Sequence, residues 1–347
     1  MKLHAREIAD TTDWITSVQL PSGMIPWFPG GHADPWNHVE AAMSLVLGGR
    51  RVEAARALEW LAAAQHDDGS WCHYYLADGV EEPRRDPNIS AYVATGTWWY
   101  FLVTGDAGVL EEMWPVIERA MTFVLRLQEP GGEILWSLDA DGTPGRFALL
   151  TSSASIHHSL RCALAVAERL GYDRPDWELA AGRVAHAVAH RPSAFEPKDR
   201  WAMDWYYPVL CGAISGDDGR RHLAAGWQNF VMDGLGVRCV SSNPWVTAAE
   251  TAECAMALDA VGMVDEAARV LGWTRHLRDD DGSYWTGCVH PECVRFPGGE
   301  RTTYTAAAVL LADHALHGTS GAAGLFRGET LPAVIDLADW QPHVERR

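Results

Sequence analysis

An all-α chain whose helical hairpins close into a ring is what this sequence predicts, on three observations. Ala/Leu-rich stretches with apolar residues three and four apart recur along nearly the whole chain. Short turns gather these stretches into pairs, and long polar, aromatic-rich loops separate one pair from the next. A loop pattern running from Gln or Arg through Gly to an aromatic residue returns several times, as a structural repeat would require.

The pairs follow in order. The first covers 37–48 and 51–65, with Gly48 and Gly49 at its turn and a clear amphipathic spacing in ARALEWLAAAQ. The second covers 89–104 and 108–128, parted at Gly105–Asp106. The third covers 153–170 and 176–190, and Pro175 suits the start of its second helix. A less regular fourth pair spans 203–215 and 218–233 around SGDDG, and a fifth spans 245–261 and 264–277. The sixth begins at 300–303 and runs to 317; GTSGAAGLFR at 318–327 reads as a flexible connection to a weaker partner at 328–340. No composition break marks a boundary, so residues 1–347 read as one domain. The first helix of each pair is generally the more apolar, as in AYVATGTWWYFLV, which predicts an inner ring of first helices and an outer ring of second ones. The links 66–88, 129–152, 191–202, 234–244 and 278–300 then all emerge at one end, where a rigid scaffold presents its chemistry.

Composition narrows the function. With 46 acidic against 28 basic residues the net charge is −18, which argues against nucleic acid and disfavours an anionic membrane. Neither a signal-type segment nor a run of about 20 apolar residues is present, so the expectation is a cytoplasmic protein without stable membrane insertion. Seven scattered cysteines do not suggest a disulfide framework. The 17 Trp exceed what a core needs, and flat faces in the loops suit sugar rings or isoprenoid chains. Nothing in the pattern fixes an oligomeric state.

The repeated loops are QLPSGMIPW (19–27), QHDDGSW (65–71), QEPGGEILW (128–136) and RDDDGSYW (278–285). Gln65, Asp68, Gly69 and Trp71 read as architectural: Gly permits a tight turn and the aromatic folds back over the helix pair. These QxxxGxW-like loops and the paired helices resemble the α/α toroid, or (α/α)6 barrel, of the terpenoid cyclase and protein prenyltransferase superfamily. The six-hairpin glycosidases of the glucoamylase type share that plan, and there the resemblance implies an active site at the mouth where the long loops meet. The sequence departs from terpenoid cyclases in lacking a DxDD motif: Asp279–Asp281 and Asp139–Asp141 both lie in turns before glycine. Cys288, His290 and Cys293 in CVHPEC are compactly spaced, but no companion CxxC follows, and His73 or Cys72 would have to complete a zinc site across the ring. The segment reads as a Cys-bearing surface loop, and neither a metal nor an organic cofactor is expected.

Polar residues cluster where the inner helices begin: Asp34, Trp36, Asn37, His38 and Glu40; Asp86, Asn88 and Tyr92; Ser152, Ser153, His157 and His158; Asp204 to Tyr207; Asn243, Trp245, Glu250 and Glu253; Glu300, Arg301 and Tyr304. Asn37, Asp86 and Thr247 also read as helix caps. Glu250 stands out because the helix around it is otherwise apolar and a buried carboxylate is costly unless paired or used. Asp204 lies among aromatics and Glu300 just before a strongly apolar helix.

Glycoside hydrolysis needs a protonated and an ionised carboxyl on either side of one bond. A ring of helices with acids at their starts and aromatic walls can supply both, so the expectation is a carbohydrate-active enzyme, a glycoside hydrolase, acting on an oligosaccharide or small molecule. Glu300 is expected as the general base and Asp204 or Glu250 as the general acid. Asp34, His38, Glu40, Asp86 and Tyr304 are expected against substrate, with Trp27, Trp36, Trp205, Tyr206 and Trp245 as stacking walls. The glucoamylase resemblance implies inversion. A noncanonical terpene cyclase or prenyltransferase, and a non-catalytic glycan or lipid-glycan binder, are the other classes compatible with the pattern.

Overall fold

The computed structural model describes residues 2–335 and 337. Six inner helical segments form a closed ring: α2 (Pro35–Leu47), α4 (Pro87–Ala91) continuing into α5 (Val93–Thr104), α7 (Leu150–Leu170), α9 (Ala202–Leu210), α11 (Ala248–Ala260) and α13 (Thr303–His317). Each packs on the next, and α13 returns to α2. Apolarity on all sides explains why α5 sits inside, and Gly96 explains how closely it approaches α2. A Cβ there would come within 2.4 Å of the Val39 side chain.

The outer helices are amphipathic. They are α3 (Arg51–Ala64), α6 (Gly108–Leu125), α8 (Pro175–His190), α10 (Gly216–Phe230) and α12 (Val264–Gly272). The sixth outer helix is α1 (Ala5–Val18), which packs on both α2 and α13 and buries Thr11, Thr12, Ile15 and Val18. This corrects the expected partner at 328–340. Residues 328–335 are not helical, and the rest of that stretch, Leu337 apart, lies outside the described residues. Residues 318–327, read as a flexible connection, hold a 3-10 turn at Gly321–Gly324. Ala322 to Phe326 are buried there, and Phe326 stacks on His158 with ring centroids 4.9 Å apart.

A strictly all-α fold is also corrected, because the long loops carry two small antiparallel sheets. One is the hairpin β1 (Cys72–Leu76) with β2 (Gly79–Arg85). The other runs in chain order through β3 (Val231–Met232), β4 (Gly236–Arg238), β5 (Trp245–Thr247), β6 (Gly287–Val289) and β7 (Val294–Arg295).

The repeated loops clamp neighbouring outer helices together. Gln19, Gln65 and Gln128 each donate from Nε2 to the carbonyl of the loop glycine and to a carbonyl of the next outer helix: Glu53, Val116 and Ala180. Gly23, Gly69 and Gly132 adopt φ between +92° and +99°, and a Cβ on any of them would sit 2.0–2.2 Å from a carbonyl oxygen of that helix. Gly282 makes the same approach to Asp10 of α1. Trp71 is fully buried, donating from Nε1 to the Leu61 carbonyl at 2.9 Å.

Candidate functional site

At the loop end of the ring lies a cavity of about 480 Å³, within the usual range for small-ligand sites of about 300–1,000 Å³. Its aromatic wall contains Trp27, Trp36, Tyr74, Trp245 and Tyr304, and its carboxyls are Asp34, Asp86, Glu250 and Glu253. Trp27 meets Tyr304 edge to face at 5.1 Å, and Trp36 stacks on Tyr92 at 4.5 Å. These contacts fix the ring planes before any ligand arrives.

Helix starts position the acids. Asp34, not Asn37, caps α2: its Oδ1 accepts from the Asn37 N–H, and its Oδ2 accepts from Trp27 Nε1 at 2.7 Å and Asn37 Nδ2 at 2.6 Å. Asp86 caps α4 through the Asn88 and Ile89 N–H groups, as expected. Burial, together with the charge of Asp34, pushes Asp86 up to about 7. His73 Nδ1 lies 3.7 Å from Asp86, and burial lowers the affinity of this imidazole for a second proton.

Glu250 occupies the first turn of α11, where its carboxylate accepts from the Thr247 hydroxyl. Thr247 therefore holds the acid while providing no side-chain cap to its helix. One turn further along, Glu253 accepts from the hydroxyls of Tyr206 and Tyr207. Burial and the charge of Glu250 push Glu253 up to about 8. Tyr304, on α13 between α2 and α11, lies within electrostatic reach of both Asp34 and Glu250.

Of the expected residues, Trp27, Asp34, Trp36, Asp86, Trp245, Glu250 and Tyr304 meet around this cavity. The others are placed elsewhere. Glu300 borders a separate depression with Trp14, Phe28 and Arg301, and its carboxylate accepts from the Thr286 hydroxyl at 3.0 Å. Asp204 sits behind the wall residue Thr151, whose hydroxyl it accepts at 2.5 Å. His38 is buried between the Ile25 N–H and the Ala57 carbonyl, and burial takes it down to about 4. Glu40 lies in a small chamber beneath the cavity with Tyr92, Glu253 and Phe326, its carboxyl held well above the usual range by burial and by Glu253. Trp205 is buried against Phe230, and Tyr206 faces Glu253 from within the core.

His73, offered by the sequence only as a completing zinc ligand, and Tyr74 line the cavity from β1, with Cys239 after β4 and Thr286 before β6, none of them marked as lining it by the sequence pattern. The Cys72–Tyr75 run, rich in aromatics and flanked by turn residues, was the available signal for the first two. Cys288, His290 and Cys293 converge with His276 at a second place, and none of the four lines the cavity.

No family model matches the chain. It is 48% identical over 334 residues to the MMP endo-(1,4)-3-O-methyl-alpha-D-mannosidase of Mycolicibacterium hassiacum, covering 96% of this chain and 92% of that one. Among solved structures it resembles a wild-type glycosidase with a TM-score of 0.69 and 16% identity, over 90% of this chain and 99% of the other. It also resembles the GH63 mannosylglycerate hydrolase of Thermus thermophilus in complex with Tris and D-glycerate, with a TM-score of 0.68 and 12% identity over 87% and 99%. The two structural likenesses show the fold, the glycosidase α/α toroid, and the terpenoid-cyclase side of the sequence resemblance finds no support in them. At the identity and coverage it shares with the mannosidase, the chain belongs to that enzyme's family and is a glycoside hydrolase.

Proposed function

We propose that the chain is an endo-acting α-mannosidase that hydrolyses (1→4) bonds between 3-O-methylmannose units, with Asp34 as general acid and Glu250 as general base. The observation that carries this reading is a pair of carboxyls, one at the N-cap of α2 and one in the first turn of α11, on either side of α13, in one cavity walled by Trp27, Trp36, Trp245 and Tyr304. The family relative supplies the substrate class. Ile89, Met203 and Ala249 in the same lining suit methyl ethers, which cannot donate hydrogen bonds.

Asp86 lines the same cavity as Asp34, and burial together with the charge of Asp34 pushes Asp86 up to about 7. As general acid, Asp34 delivers a proton to the glycosidic oxygen as the bond to the anomeric carbon breaks. Glu250 takes a proton from water as the water oxygen attacks that carbon. Inversion, which the glucoamylase resemblance implies, requires room for that water between Glu250 and the far face of the sugar. Seven cysteines, all free, fit a reducing compartment such as the cytoplasm.

Assays on α-(1→4) oligomannosides with and without 3-O-methyl groups test the reading, with NMR reporting the first anomer formed. Asp34→Asn and Glu250→Gln are each expected to lower kcat by about 10²–10⁴-fold. Glu300→Gln and Asp204→Asn should stay within about tenfold of the parent, since neither borders the cavity. Near-parental turnover in Glu250→Gln would overturn the assignment.

A further inference from the structure

We propose that His276, Cys288, His290 and Cys293 bind a structural zinc ion that clips the end of the α11–α12 hairpin to the sheet forming one wall of the cavity. Their ligand atoms all lie within 4.8 Å of one another. Cys288 Sγ is 3.3 Å from His290 Nε2, 3.7 Å from His276 Nε2 and 3.1 Å from Cys293 Sγ. Tetrahedral zinc with bonds of about 2.3 Å to sulfur and 2.0–2.1 Å to nitrogen separates its ligands by about 3.3–3.8 Å. Small side-chain rotations therefore bring the four atoms onto one ion.

The supporting bonds are those that a zinc site uses. His276 Nδ1–H donates to the Trp273 carbonyl at 2.7 Å, which fixes the tautomer and leaves the Nε2 lone pair facing Cys288. Cys288 is held in mid-sheet, opposite Val246 on one side and Arg295 on the other. His290 is anchored by its backbone N–H to the Pro244 carbonyl at 2.9 Å. Cys293 takes φ = +54°, uncommon for a residue with a side chain, as the turn brings its sulfur back toward Cys288. Arg295, on β7 two residues after Cys293, ties that strand to the His276 carbonyl at 3.1 Å.

Two thiols and two imidazoles are a donor set for zinc rather than for magnesium or calcium, which take oxygen ligands. A disulfide between Cys288 and Cys293 would explain the sulfurs but not the two imidazole nitrogens turned on the same point. Four protein ligands leave no open position for water, and none of the four lines the cavity, so the ion has no part in the acid–base reaction. Its effect passes through β6, which pairs with β5 and its wall residues Trp245 and Thr247 and follows directly on Thr286.

The test is elemental analysis of the full chain, purified without chelator and dialysed against metal-free buffer. About one zinc per chain is expected. Replacement by cobalt(II) should give the intense visible bands of a tetrahedral site and thiolate-to-cobalt charge transfer in the near ultraviolet. Cys293→Ser, at the surface edge, and His276→Gln should lose at least nine-tenths of the metal, and a chelator should lower the Tm of the parent. The proposal is overturned by a parent that holds less than about one-tenth of an equivalent of zinc and gives no cobalt spectrum. It is equally overturned if Cys293→Ser keeps full stoichiometry, or if mass spectrometry finds a Cys288–Cys293 disulfide in a metal-free parent. Should His276→Gln fail to fold, the parent's metal content and the Cys293→Ser comparison still decide.

Discussion

A buried carboxyl whose proton affinity is raised makes folding weaker as pH climbs, and Asp86 and Glu253 are both of this kind. Between the ordinary carboxyl range and about 7 or 8, the folded chain binds protons that the unfolded chain has lost, so stability falls with rising pH across that window. Denaturation midpoints measured at about pH 5 and about pH 8 should differ less in Glu253→Gln than in the parent. Catalysis offers a second readout. Asp86 titrates at about 7 within the cavity, so Asp86→Asn should remove or shift the basic limb of the kcat/KM profile near that pH. Only part of this was legible in the sequence. Glu250 could be singled out because its helix is otherwise apolar. Glu300 and Asp204 carried the same signal, an acid near the start of an inner helix, but a shift of a residue or two turns such a side chain away from the ring's axis. Glu300 stands three residues before α13, and Asp204 points to Thr151.

Elements with local periodicity were the ones the sequence specified. All five hairpins from α2 to α12 follow the apolar spacing, because a helix's pattern is complete within a few turns. Strands of two or three residues have no period to read, and they went unseen. His276 escaped as a metal partner for a related reason: it ends a helical run, twelve positions before Cys288, and only the folded sheet brings the two together. The Gln–Gly clamps, by contrast, were legible as architecture, and their cost of disruption follows from their geometry. Gly69→Ala would combine a left-handed backbone with a Cβ 2.0 Å from the Arg119 carbonyl oxygen, for an expected loss of about 2–4 kcal/mol. Gln65→Ala leaves that backbone intact and should cost about 1–2 kcal/mol, so urea denaturation separates the two roles of the loop.

The whole molecule is a ring shut by its first and last helices. Ile15 of α1 is fully buried, the Leu3 N–H donates to Asp313 of α13 at 2.8 Å, and the Thr11 hydroxyl donates to the Gly282 carbonyl at 2.7 Å. A terminal helix ordinarily frays at little cost, but here Ile15→Ala should destabilise the entire fold by about 2–4 kcal/mol in a single transition. That closure was hidden in the sequence because AREIADTTDWITSV is half polar, and the threonines it buries are satisfied by carbonyls rather than marked by hydrophobicity. The same closure sets the timing of biogenesis. About 300 residues separate the end of α1 from the end of α13, so at ribosomal speeds the first helix waits roughly 15–60 s for its docking partner to emerge. Through that interval the nascent chain exposes an unfinished rim at both edges, and the ring closes only once α13 has emerged.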